Sequence, residues 1–256
     1  MPYFRLTGLE LPDDTATVWR YMEFSKYVSM LAMEGIFFVR CDKFEDKWDS
    51  VLPEGWIATM NRKSLTIDDG RNLTLTEWYK EMEIPSRPVS CWTVNTHENE
   101  GMWSRYTPTG AAAVAIRSTV AGLRECFSSC TENVLVGLVK YGEHSELADP
   151  KFSFVYRESE APPVRLNTWY VPQFFKRKNF AWEEELRAMA SVSTSPPIEY
   201  GHSLKVGIDG LRTLIRSVHL KPGAQPWFKQ VVESVNERYG LGTIPVSFSE
   251  IDAAPP

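Results

Sequence analysis

Short runs of β formers recur along this chain at uneven intervals, with helical stripes between only some of them. "VWRYM" (18–22) and "IFFVR" (36–40) read as strands. Between them Phe24, Tyr27, Val28 and Leu31 recur at helical spacing, with Gly35 as the expected stop. "CDKFEDKWDSVLPEG" reads as a loop or short helix, and 74–83 as a helix opened by a Thr cap. "PVSCWT" (88–93) starts a strand after a proline. A helical turn is expected around Trp103 and Tyr106, ending at Pro108 and Gly110. "AAAVAIR" is a strand, "STVAGLRECFSS" a capped helix, and "VLVGLVKY" (134–141) another strand. A polar excursion spans 142–168. Then come a helix in "VGIDGLRTLIRSV", a short strand from "HL", an amphipathic helix in "QPWFKQVVESVNERYG", and a closing strand in "IPVSFS". So irregular an alternation predicts an α+β fold rather than a regularly wound parallel sheet. The expected architecture is a single domain over 1–252, with mixed or antiparallel central sheets flanked by helices. Residues 253–256 form a disordered tail.

At 256 residues and 43% hydrophobic, the chain can bury one sizeable core, or form two small domains sharing a boundary. A net charge of −5 supplies no global basic field for nucleic acid, although "FFKRKNF" (174–180) is locally basic. The Lys176–Lys178 run reads as a solvated face or a phosphate attractor. No stretch has the length of a membrane span, and "MPYFRLTGLELPDD" lacks the pattern of a secretory signal. Cys41, Cys91, Cys126 and Cys130 are scattered, as are the four histidines. The spacings predict reduced, mostly buried thiols, a cytoplasmic location and no metal site.

"FAWEEELRAM" (180–189) crowds three glutamates into an apolar setting. On a helix, Trp182, Leu186 and Met189 make a stripe and Glu183–Arg187 an i, i+4 pair. On a strand, Glu183, Glu185 and Arg187 share one face, the rim of a polar cleft. Alternation through Leu186, Ala188 and Ala190, with β-branched and Ser/Thr residues following, favours a strand by Leu186.

Several stretches together resemble a widespread bacterial and phage domain family of unknown function. They are Arg20-Tyr21 before a helix, "FFVRCDKFEDKWD", "VSCWT", "MWSRYTPTGAAAVAIR" with its W-x-x-Y-x-x-x-x-G pattern, "FFKRKNFAWEEELRAM" leading into E-x-E-x-R, and the tail around "VHLKPGA". More loosely, Arg20 or Tyr21 on a first strand, the helix ending at Gly35, Ser90 on a central strand and the late E-x-E resemble the ADP-ribosyltransferase arrangement. That resemblance implies an ADP-ribosyltransferase-like fold, NAD as substrate, and a toxin or phage-conflict effector. Arg20 and Tyr21 would hold NAD and Ser90 would support the ribose. Glu185 would stabilise the oxocarbenium-like transition state, with Glu183 nearer the acceptor, a protein or nucleic acid. The chain departs from the usual Ser-Thr-Ser with "SCWT".

In such a cleft Trp103 and Tyr106 offer flat faces for a ring, and Arg187 either fixes a glutamate or binds pyrophosphate. Arg20, Tyr21, Ser90, Trp103, Tyr106, Glu183, Glu185 and Arg187 are thus expected around one concave site. Two other readings stand beside it. E-x-E-x-R is equally readable as a buried ion-pair network in a non-catalytic module that binds nucleic acid or protein, with Trp103 and Tyr106 as core. Glu45, Asp46 and Asp49 suggest a cation site of a metal-dependent nuclease, without a matching His or Asp cluster.

Overall fold

Alternating apolar residues with β-branched and aromatic side chains settle into strands where the pattern predicts them. A computed structural model describes residues 3–4, 9–52, 57, 64–67, 69–107, 110, 112–143, 172–193 and 198–252. In chain order the strands are β1 (Tyr3–Phe4), β2 (Thr17–Glu23), β3 (Gly35–Val39), β4 (Ser64–Thr66) and β5 (Asn72–Thr74). There follow β6 (Val89–Val94), β7 (Ala113–Thr119), β8 (Asn133–Leu138), β9 (Lys140–Gly142) and β10 (Phe175–Arg177). The last are β11 (Glu185–Ser191), β12 (Gly201–Lys205), β13 (Ser217–Leu220) and β14 (Val246–Ser247). Ten of them form one sheet in the order β1-β8-β11-β6-β2-β7-β13-β14, with β3 pairing both β6 and β12. The β1–β8 and β13–β14 pairs are parallel and the others antiparallel. The fold is therefore α+β with a mixed sheet.

The two faces of the sheet are covered differently. Val18, Met22, Trp92, Ile116, Leu186 and Ala188 belong to the large core, which also takes in residues of the helices Phe24–Ala32, Val120–Glu125, Gly207–Leu214 and Pro226–Arg238. The other face carries Trp19, Tyr21, Ala113 and Ala115 under Met102 and Trp103 of the helix Glu100–Tyr106. Side chains alternate along a strand, and the register aligns Trp19 with Thr93 and Thr93 with Glu185. This second face therefore continues through Thr93, Cys91, Glu185 and Arg187.

Helix starts follow local chemistry. Thr74 and Glu77 form a capping box: the Thr74 hydroxyl accepts from Glu77 N and the Glu77 carboxylate from Thr74 N. Asn99 and Thr119 cap the helices Glu100–Tyr106 and Val120–Glu125. Some expectations change. Gly35 does not end the first long helix. Glu34 takes the left-handed turn (φ 47°), and Gly35 opens β3, where a Cβ would lie 2.7 Å from the Leu204 carbonyl oxygen. "VLVGLVKY" divides into β8 and β9, which pair with different partners. "IPVSFS" contributes only the two residues of β14. Most of the polar excursion, 144–168, and the tail 253–256 lie outside the described residues.

The sheet is narrowest at β6. β2 pairs with it only through Val18–Val94 and Trp19–Thr93. β3 joins it only through Val39–Val89. Between these contacts the edge of β6 at Ser90–Trp92 faces a gap, and the guanidinium of Arg20 crosses toward β3, donating to the Phe37 carbonyl at 2.9 Å.

Candidate active site

The acidic triplet becomes a strand through an elbow. Residues Lys178–Glu183 form a 3-10 turn, Glu184 takes a left-handed conformation (φ 44°, ψ 50°), and β11 starts at Glu185. The elbow is pinned by the Glu184 carbonyl accepting from Val94 N at 2.9 Å and by Glu185 N donating to the Tyr141 hydroxyl at 2.8 Å. Glu184 faces solvent while Glu183 and Glu185 are both buried. The strand expected by Leu186 is present.

Five charged side chains meet below this elbow. Arg187, wholly buried, donates from Nε to Glu185 Oε1 at 2.7 Å and from Nη2 to Glu185 Oε2 at 3.1 Å. Its Nη1 and Nη2 hold Asp49 bidentately at 2.9 and 2.6 Å, and Nη1 also reaches the Gln173 carbonyl at 2.7 Å. Those bonds match the full donor capacity of a guanidinium. Lys176 Nζ bridges Glu183 Oε2 at 2.6 Å and Glu185 Oε2 at 3.3 Å. Burial by itself would raise the Glu185 pKa, but Arg187 and Lys176 outweigh it and bring it down to about 2. The same carboxylates keep Lys176 above the usual range for an amine, against the opposing pull of burial. Burial, reinforced by Glu185 and Glu183, pushes the Tyr106 phenol up, and its hydroxyl donates to Glu183 Oε2 at 3.4 Å. Three carboxylates against two cations leave one net negative charge in this buried cluster. Glu183 Oε1 is buried and has no hydrogen-bond partner among the described residues.

Above the cluster lies a cavity of about 650 Å³ that runs into the gap between β2 and β3. Glu183, Glu185 and Arg187 line it, as do Tyr106, Tyr21 and Arg20. Phe180, which sits 4.9 Å from Lys176 Nζ, and Phe44, 5.4 Å from the Arg187 guanidinium carbon, add aromatic walls. Arg20 sits on the opposite face of the sheet from Glu185 and reaches the cavity only through the gap, stacked 5.6 Å from the Trp92 ring. Desolvation lowers its pKa to about 10, so it remains a cation at neutral pH.

Two of the eight expected site residues stand apart. Ser90 pairs with Ala188 on the large-core face, and its hydroxyl accepts from Trp92 Nε1 at 3.2 Å. Trp103 is core, edge-on to Tyr21 at 4.9 Å, with Nε1 donating to Glu98. Arg187 lines the cavity, but its donors are already committed to protein acceptors, which corrects the expectation that it binds pyrophosphate.

Residues that sequence reasoning missed take their places. Thr93, on the opposite face of β6 from Ser90, lines the cavity with a buried hydroxyl that lacks a partner among the described residues. Its signal was the alternation within "SCWT", which places Cys91 and Thr93 together on one side. Lys176 and Asp49 complete the ion cluster, so this lysine is buried against carboxylates rather than part of a solvated face or a phosphate attractor. The proposed cation ligands Glu45, Asp46 and Asp49 pair instead with Arg105, Arg177 and Arg187. All four cysteines are free thiols, and burial pushes Cys41 up to about 12.

No family model matches the chain, and no curated protein matches it. The resemblance to a domain family of unknown function therefore rests on its motifs alone. Among solved structures the chain is similar to "Thermus sp. 2.9 DarT in complex with ADP-ribosylated ssDNA", over 95% of this chain and 97% of that one, at 8% identity and a TM-score of 0.34. A likeness that loose assigns neither fold nor function.

Proposed function

We propose that this chain is an NAD-consuming enzyme of the ADP-ribosyltransferase kind, splitting the bond between nicotinamide and ribose. One observation carries the reading: a buried cluster with a net negative charge presents a carboxylate oxygen, Glu183 Oε1, with no partner among the described residues, in an aromatic-walled cavity. An orphaned buried acceptor costs on the order of 1–3 kcal/mol unless a ligand supplies a donor or a cation. The pyridinium of NAD is a cation suited to aromatic walls, and the ribose brings hydroxyl donors. When the glycosidic bond breaks, its electron pair leaves with nicotinamide and positive charge moves onto the ribose. A fixed carboxylate in a low-dielectric cavity stabilises that charge far better than water does. A lone pair from a protein or nucleic-acid acceptor, or from water, then closes on the ribose carbon and the acceptor loses its proton.

Within this reading Glu185, clamped by Arg187 and Lys176, fixes the field. Glu183 offers the free oxygen, reversing the order expected from the motif. Arg20 makes one hydrogen bond among the described residues and has donors left for the pyrophosphate. The experiment is nicotinamide release from NAD by the purified chain, with and without candidate acceptors, beside calorimetry. Glu183→Gln is expected to lower turnover by about 100-fold or more while NAD affinity changes little. Arg20→Ala is expected to weaken binding. No binding at millimolar NAD together with no nicotinamide release would overturn the proposal. It would leave a non-catalytic binding module, a reading that the saturated Arg187–Asp49–Glu185 network itself favours.

A further inference from the structure

Two strands beyond β2 in the sheet, a second cluster of reactive groups has no part in the cavity just described. Glu98, between β6 and the helix Glu100–Tyr106, accepts hydrogen bonds from Trp103 Nε1 at 3.1 Å, from Glu250 N at 3.1 Å and from the Ser249 hydroxyl. Burial works to raise its pKa, but the bonds from His219, Ser249, Glu250 N and Trp103 win and hold it below the usual carboxylate range. The group is thus an anion that only accepts. His219 Nδ1 lies 2.8 Å from Glu98 Oε1 and must carry the proton in that bond. With that tautomer fixed, the lone pair of His219 Nε2 points at the Ser217 hydroxyl, 3.1 Å away. The imidazole is further fixed edge-on against Trp19, with ring centres 4.9 Å apart.

These distances are those of a nucleophile, a base and the group that orients the base. Access is available as well. The side chains of His219 and Glu98 are shielded, but Ser217 is only half-buried, and Arg117, its partner on β7, is exposed on the same face. The helix Glu100–Tyr106 packs over Ala113 and Ala115, and the exposure of Arg117 marks where that cover stops.

We propose that Ser217, His219 and Glu98 form an acyl-transfer site for small esters that carry an anionic group, with Arg117 pairing with that group. Ser217 Oγ attacks the acyl carbon and its proton passes to His219 Nε2. The ester C–O bond breaks, and the departing alkoxide takes the proton from His219, leaving an acylated Ser217. Water repeats the sequence and releases the carboxylic acid. Glu98 touches no substrate and is a positioning residue.

A fluorophosphonate probe tests the nucleophile in the full chain, because a P–O bond to Ser217 forms with loss of fluoride. Mass spectrometry is expected to place the adduct on Ser217. Ser217→Ala, at a half-exposed position, abolishes it. His219→Gln removes the base itself and slows it by a factor on the order of 10⁴ or more. Glu98→Gln offers amide hydrogens to Nδ1, shifts the ring proton to Nε2, and slows labelling by a factor on the order of 10⁴. A carboxylate-bearing 4-nitrophenyl ester is expected to turn over faster than 4-nitrophenyl acetate, a preference that Arg117→Ala removes. No adduct on Ser217, or labelling of His219→Gln at the rate of the unaltered chain, overturns the site and leaves the cluster as a clasp for the C-terminal turn. Equal turnover of the two esters overturns the role of Arg117.

Discussion

Arg187 shows how far a single residue can be constrained. Its donors are all used by Glu185, Asp49 and a carbonyl, and it is wholly buried. Arg187→Met would leave two carboxylates buried without their main partner, and uncompensated buried charge of this kind costs about 3–5 kcal/mol. A drop of that size is expected in urea unfolding; a loss under 1 kcal/mol would mean the network adds little. Glu185 adds a pH dependence. Its folded pKa of about 2 lies below the ordinary value of 4.5, so the folded state favours the ionised form. The stability it contributes is complete above pH 4.5 and is lost as pH falls from there toward 2, by a few kcal/mol in all. Denaturant midpoints across that window would show the decline, and Glu185→Gln should flatten it. The motif "EEELR" announced the ionic character of the site. It could not reveal that Lys176, Asp49 and Thr93 complete it, because their nearness depends on strand register and on a contact 138 residues distant in the chain. Ser90 rested on the resemblance alone; alternation puts Ser90 and Thr93 on opposite sides, and only pairing with β11 tells which side faces the glutamates.

At the scale of elements, the left-handed Glu184 is the device that sends Glu183 and Glu185 to the same side. L residues other than glycine pay roughly 1–2 kcal/mol for that conformation, and β-branched residues more. Glu184→Gly is expected to keep the elbow and the fold within about 1 kcal/mol of the original stability. Glu184→Val is expected to destabilise by about 2 kcal/mol or more and to reduce nicotinamide release. Thermal melts of the pair separate the outcomes; equal melting temperatures would show that the elbow is not conformationally demanding. The strands with strong apolar runs, β2, β3, β6 and β7, were legible because burial on both faces leaves near-continuous apolar and β-branched runs. β12, "GHSLK", was not, since it pairs only with β3 and buries one residue, Leu204, deeply. The short parallel pair β9–β10 escaped as well, for its residues are mostly polar and its partners lie far apart in sequence.

At the scale of the molecule, the cavity exists because the sheet is held at β6 by few contacts: two residue pairs to β2 and one to β3. Arg20 and Phe37 line it on one side of the gap and Glu183 and Tyr106 on the other. A ligand that touches both sides joins parts that the backbone barely connects, so its binding energy adds directly to the stability of the fold. At about 100 times its dissociation constant NAD would add about 2.7 kcal/mol, which for a chain of this length corresponds to a rise in melting temperature of roughly 5–10 °C. Arg20→Ala removes one bond to the Phe37 carbonyl and should lower the ligand-free melting temperature only slightly. It should shrink the NAD-induced rise much more, because the cation is lost from the cavity. Glu183→Gln keeps an oxygen that accepts from a ribose hydroxyl, so it should largely keep the rise while losing turnover, since the positive charge on the ribose develops only as the bond breaks. A melting temperature unmoved by 10 mM NAD in the unaltered chain would mean that the gap is not closed by this ligand. The same rise in Arg20→Ala as in the unaltered chain would mean that NAD binds elsewhere.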